Sequence, residues 1–285
     1  MKRYLAIGLF ILSPAVWAQK PVIADGGVLN AASFAKDAKG LGTATAPGSL
    51  VAIFGTFNAS TVAAADTIPF STSLGGVSVS MNGVEAPIMN VEFTGPFPFI
   101  TAQVPFEVLG GQTSGNMNVV VTVNGTDSDP KPMPFTAVAP GLFTIPPDGA
   151  SYAVLVMTDG DNVGKIAAPD PSAVLNYPAA PIKAGGRAFF YATGLGVMTP
   201  PVPNGQGGLD VDSSGNPIIH QTVTPTVLID GLPAKVEYSG ASGYPGVYQV
   251  NIIVPNGVHT GPKIKLQVQS ADGSVTSNTA VIAVQ

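Results

Sequence analysis

Few side chains in this chain could do chemistry. There are two histidines, His220 and His259, and no cysteine. A serine triad or a histidine-rich metal site needs an imidazole placed by a partner, and neither histidine sits at a nucleophile or ligand spacing. Both read as loop or surface residues. Without cysteine, thiol catalysis and thiolate-bound metals are excluded. Downstream of Ala18 only Glu85, Glu92, Glu107 and Glu237 remain as glutamates, and nothing in the spacing of the acidic residues sets two carboxylates across a cleft, as glycoside hydrolysis requires. The expectation is a protein with no catalytic residues. The acidic motif with ligand-like spacing is Asp210-Val211-Asp212-Ser213-Ser214-Gly215. Oxygen donors at alternate positions followed by glycine are how a short loop wraps calcium, with Asp210, Asp212 and Ser214 as candidate ligands. The pattern is incomplete: the position of the bidentate carboxylate is Gln221, no flanking helices are indicated, and Asp and Ser are also ordinary turn residues. Calcium is the one cofactor this loop suggests, and no other is implied.

Two aromatic clusters could stack on a ligand. Phe93, Phe97 and Phe99 surround Gly95-Pro96, and Tyr238, Tyr244 and Tyr248 surround Gly243 and Pro245. Each precedes a strand that ends in Val-Pro. Alternating aromatics beside a strand also serve core or edge packing, so the same six residues are candidates for packing as well as for binding. Loops at the ends of β-sandwiches are where such folds carry binding function.

The elements that must position these residues are strands. Thirty-four glycines and 27 prolines fit poorly inside helices, and only 10% of residues are charged against 45% hydrophobic, so the chain is neither a helical bundle nor a charged disordered one. Short β-branched or aromatic runs bounded by Gly, Pro, Asn or Asp recur, among them Ser49 to Phe54, Val77 to Met81, Ala188 to Ala192 and Val247 to Val254. Asn82-Gly83 and Asp230-Gly231 each lie between two such runs, the signature of a two-residue hairpin turn. These hairpins belong to an internal repeat. Val28-Leu29-Asn30 matches Val174-Leu175-Asn176, Ser49 to Thr56 matches Gly186 to Thr193, and Ala102-Gln103-Val104-Pro105 matches Ile252-Ile253-Val254-Pro255. The fold class expected is all-β, with two tandem immunoglobulin-like β-sandwich domains at 19–140 and 182–285, and 141–181 as a connector containing a β-hairpin.

Lys2 and Arg3 precede the apolar run Tyr4 to Leu12, and Val16-Trp17-Ala18 offers a cleavage step, so residues 1–18 read as a secretory signal. The sole tryptophan leaves with it. The mature chain keeps ten basic against seventeen acidic residues, a net charge of −7, which excludes nucleic acid as a partner. No later apolar run is long enough to span a membrane. The expected destination is the periplasm, cell surface or exterior, where an extracellular protein or a polysaccharide would be the partner.

The strings VLNAASF at 28–34, APGSLVAIFGT at 46–56, GVSVSMNGVEAPI at 76–88 and AQVPFEV at 102–108 resemble the uncharacterised Solibacter-type C-terminal domain family. FYATGLG at 190–196, VLIDGLPAKVEYSG at 227–240 and GVYQVNIIVPNGV at 246–258 continue the resemblance. It implies an IPT/TIG-like immunoglobulin fold in an exported protein of soil bacteria, with no activity established and no catalytic residues to transfer. In that bacterial context the sequons Asn58-Ala59-Ser60 and Asn124-Gly125-Thr126 carry little weight. The function expected is a secreted, non-catalytic surface interaction or adhesion protein. The alternatives are a carbohydrate-binding protein and, behind it, a hydrolase.

Overall fold

The computed structural model describes residues 19–285. The N-terminal stretch read as a secretory signal lies outside the described residues. Runs rich in Val, Ile, Thr and aromatics, cut short by Gly, Pro, Asn and Asp, become strands, and the described helices are three single turns of 3₁₀ type. The chain is all-β and forms two tandem immunoglobulin-like sandwiches.

The first unit contains β1 (Val22–Asn30), β2 (Leu50–Thr56), β3 (Val62–Ala64), β4 (Ser73–Leu74), β5 (Val77–Met81), β6 (Val84–Glu85), β7 (Ile88–Glu92), β8 (Phe99–Gln103), β9 (Ser114–Val123), β10 (Thr126–Asp127) and β11 (Lys131–Thr136). One sheet runs β1-β2-β8-β7-β3. The other runs β10-β9-β5-β4, with β11 on β9 and β6 on β5. Alternation along each strand sends Val51, Ile53, Ile88 and Ile100 from one sheet against Val77, Val79, Met81, Val119 and Val121 from the other, all buried in one core.

The second unit contains β12 (Gly141–Leu142), β13 (Thr144–Ile145), β14 (Tyr152–Ala153), β15 (Leu155–Met157), β16 (Ile166–Ala167), β17 (Ala179–Ala180), β18 (Arg187–Thr193), β19 (Thr226–Ile229), β20 (Leu232–Ala241), β21 (Tyr248–Ile253), β22 (Gly261–Gln269) and β23 (Ala280–Val284). Its core gathers Phe190, Ile229, Val250, Ile252, Leu266 and Ile282. The two sheets are continuous because ten-residue β20 pairs with β19 through Leu232–Ala234 and then with β21 through Lys235–Ala241. In the first unit the matching strand is cut into β6 and β7 at Ala86-Pro87, where proline has no amide to continue the ladder. The stretch 141–181 joins the second unit's hydrogen bonding: β12 and β15 pair with β18, β13 and β14 form a hairpin, and β14 runs parallel to β23.

The predicted hairpin turns form. Asn82 and Gly83 take φ of 50° and 79°, and Asp230 and Gly231 take 56° and 78°, the paired positive values of a type I′ connection. Asn124-Gly125, read from sequence only as part of a sequon, makes a third such turn between β9 and β10. The opening match of the repeat is corrected. Val28–Asn30 pairs with the start of β2, but Val174 ends a 3₁₀ turn after Pro171, and Leu175 and Asn176 are left-handed at φ 52° and 64°. The strand paired with the start of β18 is Leu155–Met157 instead.

The units meet at a polar joint. Leu50 N donates to Thr193 Oγ1 at 2.8 Å, and that hydroxyl donates to Gly246 O at 2.7 Å. Gly205 N donates to Gln103 Oε1 at 2.7 Å, while Phe106 N donates to Asn204 Oδ1 at 3.0 Å. Tyr248, from β21, reaches across the joint: its hydroxyl donates to Gly196 O at 2.7 Å and lies 3.4 Å from Pro47 O. Gly48, at φ +76°, is required here, because a Cβ would stand 2.5 Å from that hydroxyl and 2.5 Å from the Phe106 ring.

Candidate functional site: an aromatic trough

In β2 and β8 the residues out of phase with the core are Ala52, Phe54, Phe99 and Thr101, so they form the outer face of the sheet. The register sets Phe54 opposite Phe99, with ring centroids 5.8 Å apart, and Ala52 opposite Thr101. Two walls rise beside this floor. Ala31 and Phe34 follow β1 on one side, and Gly95-Pro96-Phe97 leads into β8 on the other. Together they enclose a trough of about 370 Å³, which Glu92 also lines. Phe97 is 75% exposed at its rim. The loop that carries Phe97 is held by Glu92, whose Oε1 accepts from Thr94 N at 2.8 Å, Thr94 Oγ1 at 2.6 Å and Gly95 N at 3.0 Å. The Thr94 hydroxyl and amide hold the Glu92 carboxyl below the usual carboxylate range. Its charge is thus committed to positioning the rim, and the trough offers a ligand mainly apolar surface.

The aromatic clusters read from sequence are separated by the fold. Of the first, Phe97 and Phe99 line the trough, while Phe93 is buried in the core and stacks on Phe57 with centroids 4.4 Å apart. Of the second, Tyr248 is the buried joint residue, and burial pushes its hydroxyl pKa up. Tyr238 is half-buried, its hydroxyl donating to Ala241 O at 2.9 Å and lying 3.2 Å from His220 O. Tyr244 is exposed and meets Phe70 of the first unit edge-on at 5.3 Å. Sequence reasoning missed Phe34 and Phe54. The outward parity of Phe54 within Leu50–Thr56 was the available signal.

Several acidic residues serve loops. Asp212 Oδ1 accepts from Ser214 N at 2.8 Å and Asn216 N at 2.9 Å, and Oδ2 accepts from Asn216 Nδ2 at 3.1 Å. Asp210 Oδ2 is 3.1 Å from His220 Nε2, and His220, 2% exposed, also bonds Pro200 O at 2.7 Å. The carboxylates of the candidate calcium loop thus have separate protein partners, and Ser214 enters through its amide. Asp170 and Asp272 similarly take hydroxyl and amide donors from nearby serines. The bonds from Asn216, from Ser172 and from Ser270 lead the causes that lower Asp212, Asp170 and Asp272 respectively. For Asp148 burial opposes ionisation, but bonds from Ser151, Ala150 and Thr144 outweigh it. A general acid needs its pKa raised, the opposite direction. His259 is exposed and bonded to Asp230 at the β19–β20 turn. Among the described residues no three His, Asp or Glu cluster as metal ligands, and no helix is long and apolar enough to cross a membrane.

No known family's sequence profile matches the chain, and no curated protein matches it. Solved structures similar in shape include the D00-D0 domain of intimin, at 15% identity and TM-score 0.20, covering 85% of this chain and 96% of that one. Domains 5-6 of the S-layer protein SbsC align at 14% identity and TM-score 0.24, covering 93% and 98%. The tandem Ig repeats of Dlar align at 12% identity and TM-score 0.18, covering 94% and 95%. Superpositions this loose bear on no functional argument; the strand pairing above carries the fold.

Proposed function

We propose that the chain is an exported, non-catalytic interaction protein whose first unit grips an apolar segment of a partner protein in the aromatic trough. The observation that carries this reading is the solvent-facing Phe97 above a floor of Phe54 and Phe99, held by a loop braced through Glu92. A monomeric domain gains nothing in stability from an exposed phenylalanine, whereas an aromatic anchor entering a partner's pocket is the usual source of interface energy. Glu92, Asp148, Asp170, Asp212 and Asp272, each hydrogen-bonded within its own loop, support the non-catalytic part, and the N-terminal apolar run supports export.

The test is binding of the mature chain to a panel of purified cell-surface and extracellular proteins, compared with Phe97→Ala. An anchor worth about 2 kcal/mol weakens capture roughly thirtyfold when removed, with the melting temperature unchanged because the ring is exposed. Equal capture by both forms would refute the reading. Terminal sequencing of the exported protein should start at Gln19.

A further inference from the structure

The sheet face matching the trough has a different chemistry in the second unit. Along β18 the outward residues are Arg187, Phe189 and Tyr191, and along β21 they are Ile253, Asn251 and Gln249, because Ala188, Phe190, Val250 and Ile252 fill the core. Pairing with β20 sets Tyr238 beside Asn251 and Gly240 beside Gln249. Two rows therefore cross three strands, Phe189-Asn251-Tyr238 and Tyr191-Gln249-Gly240, each strand about 4.8 Å from the next. Phe189, Tyr191, Tyr238, Asn251 and Gln249 are all half-buried. The Phe189 and Tyr191 rings meet at 5.3 Å and 64°.

The amides are preorganised. Gln249 Nε2 donates to Asn251 Oδ1 at 2.8 Å, which locks both side chains and leaves Gln249 Oε1 as an acceptor and Asn251 Nδ2 as a donor beside the rings. Adjacent hydroxyls on an apolar ring face are what such a donor and acceptor beside an aromatic surface complement. The charges argue for a neutral occupant. Neither row contains a carboxylate, lysine or arginine, the bordering Arg187 is paired with Glu237, and the chain as a whole is net negative, which disfavours an acidic polymer. We infer that this face of the second unit binds a neutral polysaccharide, with aromatic rings stacking on sugar faces and the Gln249–Asn251 pair bonding hydroxyls.

Native affinity electrophoresis of the mature chain tests it, with gels containing hydroxyethyl cellulose, xylan, dextran or mixed-linkage β-glucan, and with polygalacturonate as the acidic control. At least one neutral polymer should retard the wild-type protein and polygalacturonate should not. Tyr191→Ala and Asn251→Ala should each weaken that retardation by up to roughly tenfold, the scale of one lost stacking ring or one lost neutral hydrogen bond. Phe97→Ala, in the other unit, should bind the polymer normally, so loss of the trough function and loss of this one are distinguishable. Thermal melting confirms that each variant is folded, and Gln249→Ala supplies a second amide variant if Asn251→Ala is not. The inference is overturned if no neutral polymer retards the wild type, if folded variants bind like wild type, or if polygalacturonate binds equally.

Discussion

The same outer sheet positions carry opposite surfaces in the two units. Ala52, Phe54, Phe99 and Thr101 in the first correspond, by strand register, to Phe189, Tyr191, Gln249 and Asn251 in the second. In one unit aromatic rings on neighbouring strands touch across the ladder and build an apolar floor. In the other the rings lie on one strand and amides on its neighbour. The inward positions did not diverge in kind: Val51 and Ile53 against Ala102 and Ile100 are answered by Ala188 and Phe190 against Ile252 and Val250, all apolar and buried. The difference teaches that a duplicated sandwich holds its inner parity through packing, since a polar group there would have to find a partner, and leaves the outer parity free to acquire ligands. Enclosure differs too. The first unit has walls from the 31–34 and 95–97 segments, whereas the second presents rows across three strands.

The comparison breaks most visibly at Tyr248, whose counterpart in the first unit is Pro98. Tyr248→Ala should cost about 3–5 kcal/mol, the range for removing a buried aromatic, because it empties core volume and removes the donor to Gly196 O at the joint. Scanning calorimetry should show the main transition falling and separating into two, one for each unit. A single transition at the original midpoint would mean that the joint contributes little. A smaller effect probes what the units share. Ser128 Oγ accepts from Val121 N at 3.0 Å, and Ser277 Oγ accepts from Val268 N at 2.9 Å, both buried and both donating onward to the next carbonyl. Ser128→Ala and Ser277→Ala each leave a buried amide without its side-chain acceptor, so each should lower unfolding free energy by about 1–3 kcal/mol in denaturant titration. A large loss from one and none from the other would break the equivalence.

Much of this was legible in the sequence, for identifiable reasons. Asn-Gly and Asp-Gly turns announce themselves because few residues tolerate consecutive positive φ, and the inner parity of Ser49 to Phe54 and Val247 to Val254 can be read from alternation alone. That parity also places Tyr248 inward, in phase with Val250 and Ile252, although its cluster with Tyr238 and Tyr244 drew attention to binding instead. What was not legible depends on register between distant strands. Nothing local says that Phe54 faces Phe99 or that Tyr191 faces Gln249, since those neighbours are set by long-range pairing. The Val174-Leu175-Asn176 match misled because identical letters do not fix conformation: Asp170 caps a 3₁₀ turn there, and the peptide leaves it left-handed. The Asp210 loop has a donor spacing that serves a calcium site and an Asx turn alike, so the letters alone do not choose between them.

Exchanging the outer face sharpens the comparison at lower cost. Phe54→Tyr with Phe99→Gln gives the first unit the residues of the second at those positions. Both sites are half-exposed, so the stability change should be about 1 kcal/mol or less. Binding of an environment-sensitive apolar dye should nonetheless drop, because the trough floor loses a ring contact and gains an amide. Unchanged dye binding would place the apolar surface elsewhere than the trough.

The smallest effect lies in the loops that differ in length. The first unit turns from β9 through Asn124-Gly125, while the second connects β22 to β23 through a longer loop braced by Asp272, which accepts from Ser270 Oγ at 2.6 Å, Ser274 Oγ at 2.8 Å and Ser274 N at 3.1 Å. The Ser270 hydroxyl, then the Ser274 amide and hydroxyl, lower its pKa from 3.8 to about 2. A depressed folded-state pKa means that the unfolded chain binds the proton more readily, so this contribution is complete above the ordinary carboxylate value and fades as pH falls from about 4 towards 2. Asp272→Asn should therefore flatten part of the stability loss over that interval and leave the slope above pH 5 as in wild type. At the two-residue turn Asn124-Gly125 the flanking carboxylate is Asp127, which accepts from Thr122 Oγ1 at 2.7 Å, and Asn124→Ala leaves that bond in place, so this substitution should change stability without changing its pH dependence. If denaturant midpoints measured from pH 5 to pH 2 fall in parallel for Asp272→Asn and wild type, the loop charge contributes nothing, and the longer connection must be held by Ser270 and its backbone bond to Val275 alone.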